Sequence, residues 1–160
     1  MACCRPKRLV TRHKQVSIPG IKAIAHWALK VSDLDRSLAF YRDTLDFQEM
    51  MRLHHDNGDP WLVYLRITDT QFVELFPGGE GTRAPNRDAT AINHICLEVE
   101  SVDAAAGHLR KIGVKLTAEP KLGLDGNRQA WFEDPEGNRI ELMQMLPGNM
   151  QEAAIKRLSI

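Results

Sequence analysis

An internal repeat constrains this chain more than any other feature. Setting Ile24-Ala-His26-Trp-Ala-Leu29-Lys-Val31 above Ile92-Asn-His94-Ile-Cys-Leu97-Glu-Val99 aligns Ile, His, Leu and Val at one offset of 68. Asp35 falls on Asp103 and Arg42 on Arg110 at the same offset, while Val73-Glu74-Leu75 matches Ile140-Glu141-Leu142 at 67, so one net deletion separates the halves. Two modules follow, 21–77 and 91–145, joined by a Gly-, Pro- and Asn-rich connector over 78–90. A tail over 146–160 carries a short helix near Gln151 to Leu158.

Within each module the hydrophobic period changes from two to 3.6 and back. The first strand alternates Trp27, Leu29 and Val31 against His26, Ala28 and Lys30. A helix capped by Ser32 or Asp33 carries Leu34, Leu38, Tyr41 and Leu45 on one face. Strands are expected near 47–53, 61–67 and 71–76, with Asn57-Gly58 and Thr68-Asp69-Thr70 as turns. In the second module a helix opens at Val102 or Asp103, runs through Ile112 and stops at Gly113, which supplies a left-handed cap. Strands follow near 114–118, 128–133 and 139–145, and Asp134-Pro-Glu-Gly-Asn138 turns the chain before the last. The fold class is α+β, a βαβββ unit twice over.

Composition narrows the partners. Lys plus Arg and Asp plus Glu each number 21. The chain therefore lacks the basic excess that nucleic-acid binding draws on. No apolar run approaches the roughly 18 residues of a membrane span, and the basic N-terminus lacks a signal peptide's apolar stretch. A small-molecule partner and a cytoplasmic setting are the expectation. Residues 1–20 are basic, have no apolar period and end in Ile18-Pro19-Gly20; they read as a disordered arm or an extension foreign to the fold. Cys3, Cys4 and Cys96 form no disulfide framework and read as incidental thiols. His13, His54, His55 and His108 read as solvated.

The repeat carries chemistry as well as architecture. His26 and His94 lie on the first strand of their modules and Glu74 and Glu141 on the last, each on the face opposite the helix-packing residues. Four polar groups are thus expected to point into one concave surface. Two buried carboxylates close together would be strongly unfavourable without a cation. Two imidazole nitrogens and two carboxylates suit one divalent ion of the Zn, Ni, Co, Fe or Mn kind.

At these residues the chain resembles the vicinal oxygen chelate superfamily, which includes glyoxalase I, extradiol dioxygenases, methylmalonyl-CoA epimerase and fosfomycin-resistance proteins. The resemblance rests on the run from His26 to Tyr41, on Asn93-His-Ile-Cys-Leu-Glu-Val99 and on Phe132-Glu-Asp-Pro-Glu-Gly-Asn-Arg-Ile-Glu-Leu142. The ligand order His, Glu, His, Glu is similar to bacterial glyoxalase I. That implies paired modules forming an open eight-stranded barrel-like sheet around the metal, and a homodimer. It also implies proton transfer through a metal-chelated enediolate, with Glu141 as first candidate for the base, Glu74 as second, and the two His as holders of the ion.

Two positions depart from the glyoxalase pattern. Lys30 stands where that family has an Arg, and Gly78 where it has an Asn, both of which serve glutathione. Lys keeps the charge and loses the bidentate fork; Gly removes a contact. Lys30, Arg128 and Arg139 are the candidate contacts for an anionic substrate. An epimerase needs the same proton abstraction beside a carbonyl. An extradiol dioxygenase would need an open position where Glu74 sits. A small-molecule-sequestering protein of the bleomycin-resistance kind has no use for four ligands in register.

Overall fold

The computed structural model of the chain describes residues 22–158. The expected arm over 1–20 lies outside them. Strand β1 (His26–Val31) is followed by helix α1 (Leu34–Leu38), whose cap is Asp33: its side chain accepts from the Arg36 amide at 3.0 Å. The helix does not stop at Leu38. It widens into a π-helical segment over Ala39–Thr44, where the Thr44 hydroxyl returns to the Ala39 carbonyl at 2.9 Å. The sequence spacing suggests one uniform helix here, because side-chain periodicity does not reveal which carbonyl each amide chooses.

Three strands complete the first module: β2 (Gln48–His54), β3 (Pro60–Arg66) and β4 (Phe72–Pro77). The second module repeats the order with β5 (Ile95–Glu98), α2 (Val102–Lys111), β6 (Leu116–Leu122), β7 (Arg128–Glu133) and β8 (Arg139–Gln144). Ser101 caps α2, and Gly113 leaves it at φ +84°, the left-handed conformation that the sequence requires of it. Strand β6 begins later than its apolar residues suggest and includes Pro120. It tolerates the proline because it lies at a sheet edge and its pairing with β7 shifts register around Ala118.

Each module forms its own four-stranded sheet, in the orders β1-β4-β3-β2 and β5-β8-β7-β6. The parallel pairs repeat in register: Ala28 opposite Glu74, and Cys96 opposite Glu141. The eight strands therefore do not form one continuous sheet. Strands β1 and β5 are both edges, and there is no closed barrel.

One core nonetheless spans both modules. Val31, Val63, Leu65, Val73 and Leu75 from the first sheet join Ala130, Phe132, Ile140 and Leu142 from the second, all 5% exposed or less. Full burial of each larger aliphatic side chain is worth about 1.5–3 kcal/mol. The π-helical segment reaches across to the second module: the Phe40 ring lies 6.3 Å from that of Phe132, and the Tyr41 hydroxyl donates to Asp134 at 2.7 Å.

The Asp134–Asn138 turn is the main seat of this contact. Glu136 is buried and accepts from the Ser32 amide and hydroxyl at 3.1 and 2.9 Å and from Arg36 at 3.0 Å. Gly137 has φ +83°, a conformation that favours glycine, and a Cβ there would lie 2.8 Å from the Arg83 side chain, which would have to move aside. Helix α3 (Met150–Leu158) closes the described chain. Asn149 accepts from the Glu152 amide, and Glu152 reaches back to the Gly148 amide, a reciprocal cap.

Candidate metal centre

Strand alternation and sheet register together place the four donors. On β1, His26 points away from the helix because Trp27, Leu29 and Val31 pack towards it. On β4, Val73 and Leu75 are fully buried in the core, which leaves Glu74 on the opposite face beside β1. His26 Nε2 lies 3.5 Å from Glu74 Oε1. The second module builds the same pair more tightly, with His94 Nε2 3.1 Å from Glu141 Oε2.

Both carboxylates are buried, each residue 6% exposed. Leaving either one buried without a compensating cation is costly, so the donor set fits a divalent ion. The structure brings the four together as two pairs: among the described residues no three His, Cys, Asp or Glu donors converge. His26 and His94 do line the same cavity, of about 1300 Å³, which opens between edge strands β1 and β5. Its walls include the apolar Trp27, Leu29, Ile95 and Leu97.

Each carboxylate also meets a side chain from its own sheet. Tyr64 stands opposite Glu74 in the β3–β4 register, and its bond to that carboxylate raises the phenol above its usual range. Cys96 stands opposite Glu141. Desolvation at the sulfur first, then the Glu141 charge, push the thiol up to about 12, although the residue as a whole is exposed. Trp131 occupies in the second module the place of Tyr64 in the first, and stands opposite Glu141. Its ring meets that of His94 edge-on, with centroids 4.8 Å apart.

Sequence reasoning finds the four donors but not that these neighbours touch them. The signal is present, since Tyr64 and Trp131 share the offset of 67 that relates Glu74 to Glu141. It goes unread because a tyrosine and a tryptophan at matching strand positions look like packing.

The three candidate substrate cations have separate environments. Lys30 lines the cavity, and its amine donates to the Pro77 carbonyl at 2.6 Å. A Cβ on Gly78 would lie 3.7 Å from that amine, so the two positions that depart from the glyoxalase pattern are neighbours in space. Arg139 also lines the cavity, donating to Asn93 Oδ1 at 2.7 Å with its guanidinium 4.5 Å from the Trp131 ring centre. Arg128 lies on the helix side of its sheet, forked onto Asp103 at 2.5 and 2.6 Å.

Comparison with known proteins identifies the family. The family described as "Glyoxalase/Bleomycin resistance protein/Dioxygenase superfamily" matches residues 23–142. The chain belongs to that superfamily. It is 30% identical over 125 residues to a probable lactoylglutathione lyase of Synechocystis sp., covering 76% of this chain and 94% of that one. It is 29% identical over 133 residues to the ethylmalonyl-CoA/methylmalonyl-CoA epimerase of Cereibacter sphaeroides, covering 78% and 99%. The crystal structure of a lactoylglutathione lyase from Agrobacterium tumefaciens superposes with a TM-score of 0.60 at 25% identity, covering 78% of this chain and 95% of that one. No helix among the described residues is long and apolar enough to cross a membrane.

Proposed function

We propose that this chain is a metal-dependent lyase or isomerase of the glyoxalase kind, moving a proton at a carbon beside a carbonyl in a small carbonyl or hemithioacetal substrate. The observation that carries the reading is the duplicated His–Glu pair, each with a buried carboxylate and each with its histidine lining one cavity. His26, Glu74, His94 and Glu141 would hold one divalent ion. Bound there, it would act as a Lewis acid on the substrate oxygens and favour loss of the neighbouring proton.

The chain's own residues supply the rest. Glu141 is the proposed base: it is buried, with His94 Nε2 at 3.1 Å and the Cys96 thiol beside it. Glu74, bonded by Tyr64, is the second carboxylate able to exchange the proton. On the donor face the apolar surface is that of Trp131, opposite Glu141 and edge-on to His94, which would help to exclude water from the reacting carbon. Lys30 is the cation placed to meet an anionic part of the substrate.

Epimerisation is the second reading, because it needs the same proton abstraction and because the named relatives include an epimerase. The open edges of β1 and β5 support a homodimer. Turnover of methylglyoxal with glutathione, and deuterium exchange into a methylmalonyl thioester, should be measured on chelator-stripped protein before and after addition of Zn, Ni or Co. Metal-dependent exchange in either substrate is the expected result. Ligand binding without any metal-dependent exchange would replace this reading with that of a sequestering protein.

A further inference from the structure

The two His–Glu pairs are equivalent by sequence and unequal in their support. Asn93 precedes His94, and its Oδ1 lies 2.9 Å from His94 Nδ1. The orientation of that amide is set from both ends. Arg139, which has donors only, gives a hydrogen bond to Oδ1 at 2.7 Å, and Asn93 Nδ2 donates to the Arg87 carbonyl at 3.0 Å. Oδ1 is therefore an acceptor, and the hydrogen between it and His94 must sit on Nδ1. In the neutral ring the lone pair then lies on Nε2, facing Glu141 Oε2 at 3.1 Å. Two acceptors at that distance repel unless a cation or proton lies between them.

Trp131 completes the arrangement. Its face carries the Arg139 guanidinium at 4.5 Å while its ring packs edge-on against His94 with planes at 70°. The first module has none of these groups: the positions duplicate to Asn93, Arg139 and Trp131 are Ala25, Phe72 and Tyr64. Ala25 offers no side-chain acceptor. His26 is correspondingly more open, its side chain 48% exposed against 32% for His94, and stands farther from its carboxylate.

We propose that Asn93 and Arg139 are positioning residues that hold His94 with Nδ1 protonated and Nε2 turned to the metal, so that the second module captures the ion first. The capture step rests on the proposed metal function; the tautomer does not. Arg139 thereby acts through His94, and the cation left to meet substrate is Lys30. Outer hydrogen bonds of this kind fix the ring and typically change metal affinity by about 10- to 100-fold.

The test uses the full chain and two readouts. Long-range proton–nitrogen NMR on the metal-free protein, about two units above the ordinary histidine pKa, should show His94 as the Nδ1–H tautomer. Asn93→Ala should convert it to Nε2–H, Asn93→Asp should restore the wild-type pattern because a carboxylate oxygen still accepts, and the His26 signals should stay unchanged in all three. Zn affinity by chelator competition should fall about 10- to 100-fold in Asn93→Ala, recover in Asn93→Asp and fall in Arg139→Ala. An unchanged tautomer in Asn93→Ala, or equal shifts at His26 and His94, would overturn the positioning role. Absence of Zn uptake in the wild type alongside the expected tautomer pattern would overturn the capture step and the metal function while leaving the tautomer assignment standing.

Discussion

The Tyr41 hydroxyl donates to Asp134 Oδ2 at 2.7 Å, tying the π-helical segment of the first module to the turn that precedes the last strand of the second. Asp134 is buried and also accepts from the Asn138 amide at 2.7 Å, so the same carboxylate shapes the turn and holds it to the neighbouring module. Removing the hydroxyl leaves part of that network unmatched. Tyr41→Phe should cost about 1–2 kcal/mol in urea unfolding, and Tyr41→Ala more, because it also empties core volume.

The same contact predicts two pH limits. Burial alone would raise the Glu136 carboxyl, but the bonds from Arg36 and Ser32 outweigh it and hold it below the ordinary range. A depressed folded value means that this contribution is present above the unfolded pKa and lost as pH falls through the folded one. Tyr41 lies on the other side: burial, then the charge of Asp134, raise it well above 10.0. Its neutral form is favoured by folding, so that contribution is present below the unfolded phenol value and lost as pH rises past it. Glu136→Gln should flatten the acid limb of a stability–pH curve and soften the alkaline limb only slightly, because the Glu136 charge is the smallest of the causes that raise Tyr41.

Cys96 should be a sluggish nucleophile despite its exposure. With its thiol pushed up to about 12, only a minute thiolate fraction exists at neutral pH. In a chain carrying Cys3→Ser and Cys4→Ser, alkylation by iodoacetamide should run at least about 100-fold slower than for an ordinary free cysteine. Rapid modification in the metal-free protein would show that burial and the Glu141 charge do not together hold the thiol up.

Exchanging each carboxylate separates their proposed roles. Glu141→Gln should lower turnover by about 10²- to 10⁴-fold, the range for loss of a general base, while Glu74→Gln should act mainly through weaker metal binding. Saturating metal would then rescue Glu74→Gln in large part and Glu141→Gln hardly at all. The reverse pattern in a metal titration of activity would exchange the two assignments.

Among the described residues no group of three His, Cys, Asp or Glu side chains could hold a metal ion, and β1, which carries His26, and β5, which His94 immediately precedes, are both open edges. In the proposed homodimer a second copy would supply the complementary pair. Inactive His26→Ala and His94→Ala chains, mixed under conditions that let subunits exchange, should therefore recover up to about a quarter of wild-type activity, since random pairing makes half the dimers mixed and each holds one intact site. No recovery would mean that the cavity between β1 and β5 closes around the ion in a single chain.

Much of this architecture was legible from residue spacing. The offset of 68 located both first strands, alternation assigned His26 and His94 to the face away from the helices, and Gly113 announced the end of α2. What spacing does not carry is long-range relation between modules. The open eight-stranded arrangement of paired modules is built as two sheets of four, because β1 and β5 hydrogen-bond inward to β4 and β8 and not to each other. The part played by Asn93 was equally hidden: it depends on Arg139 arriving from 46 residues away, which no local pattern encodes.

The account stands or falls on whether the two pairs share one ion. Chelator-stripped protein titrated with Co, read by absorption and calorimetry together, tests this most directly. The expected result is one ion per chain with a spectrum of mixed nitrogen and oxygen ligands, weakened by His26→Ala and weakened more by His94→Ala. Two independent ions per chain, or a single ion whose affinity and spectrum ignore both substitutions, would contradict it.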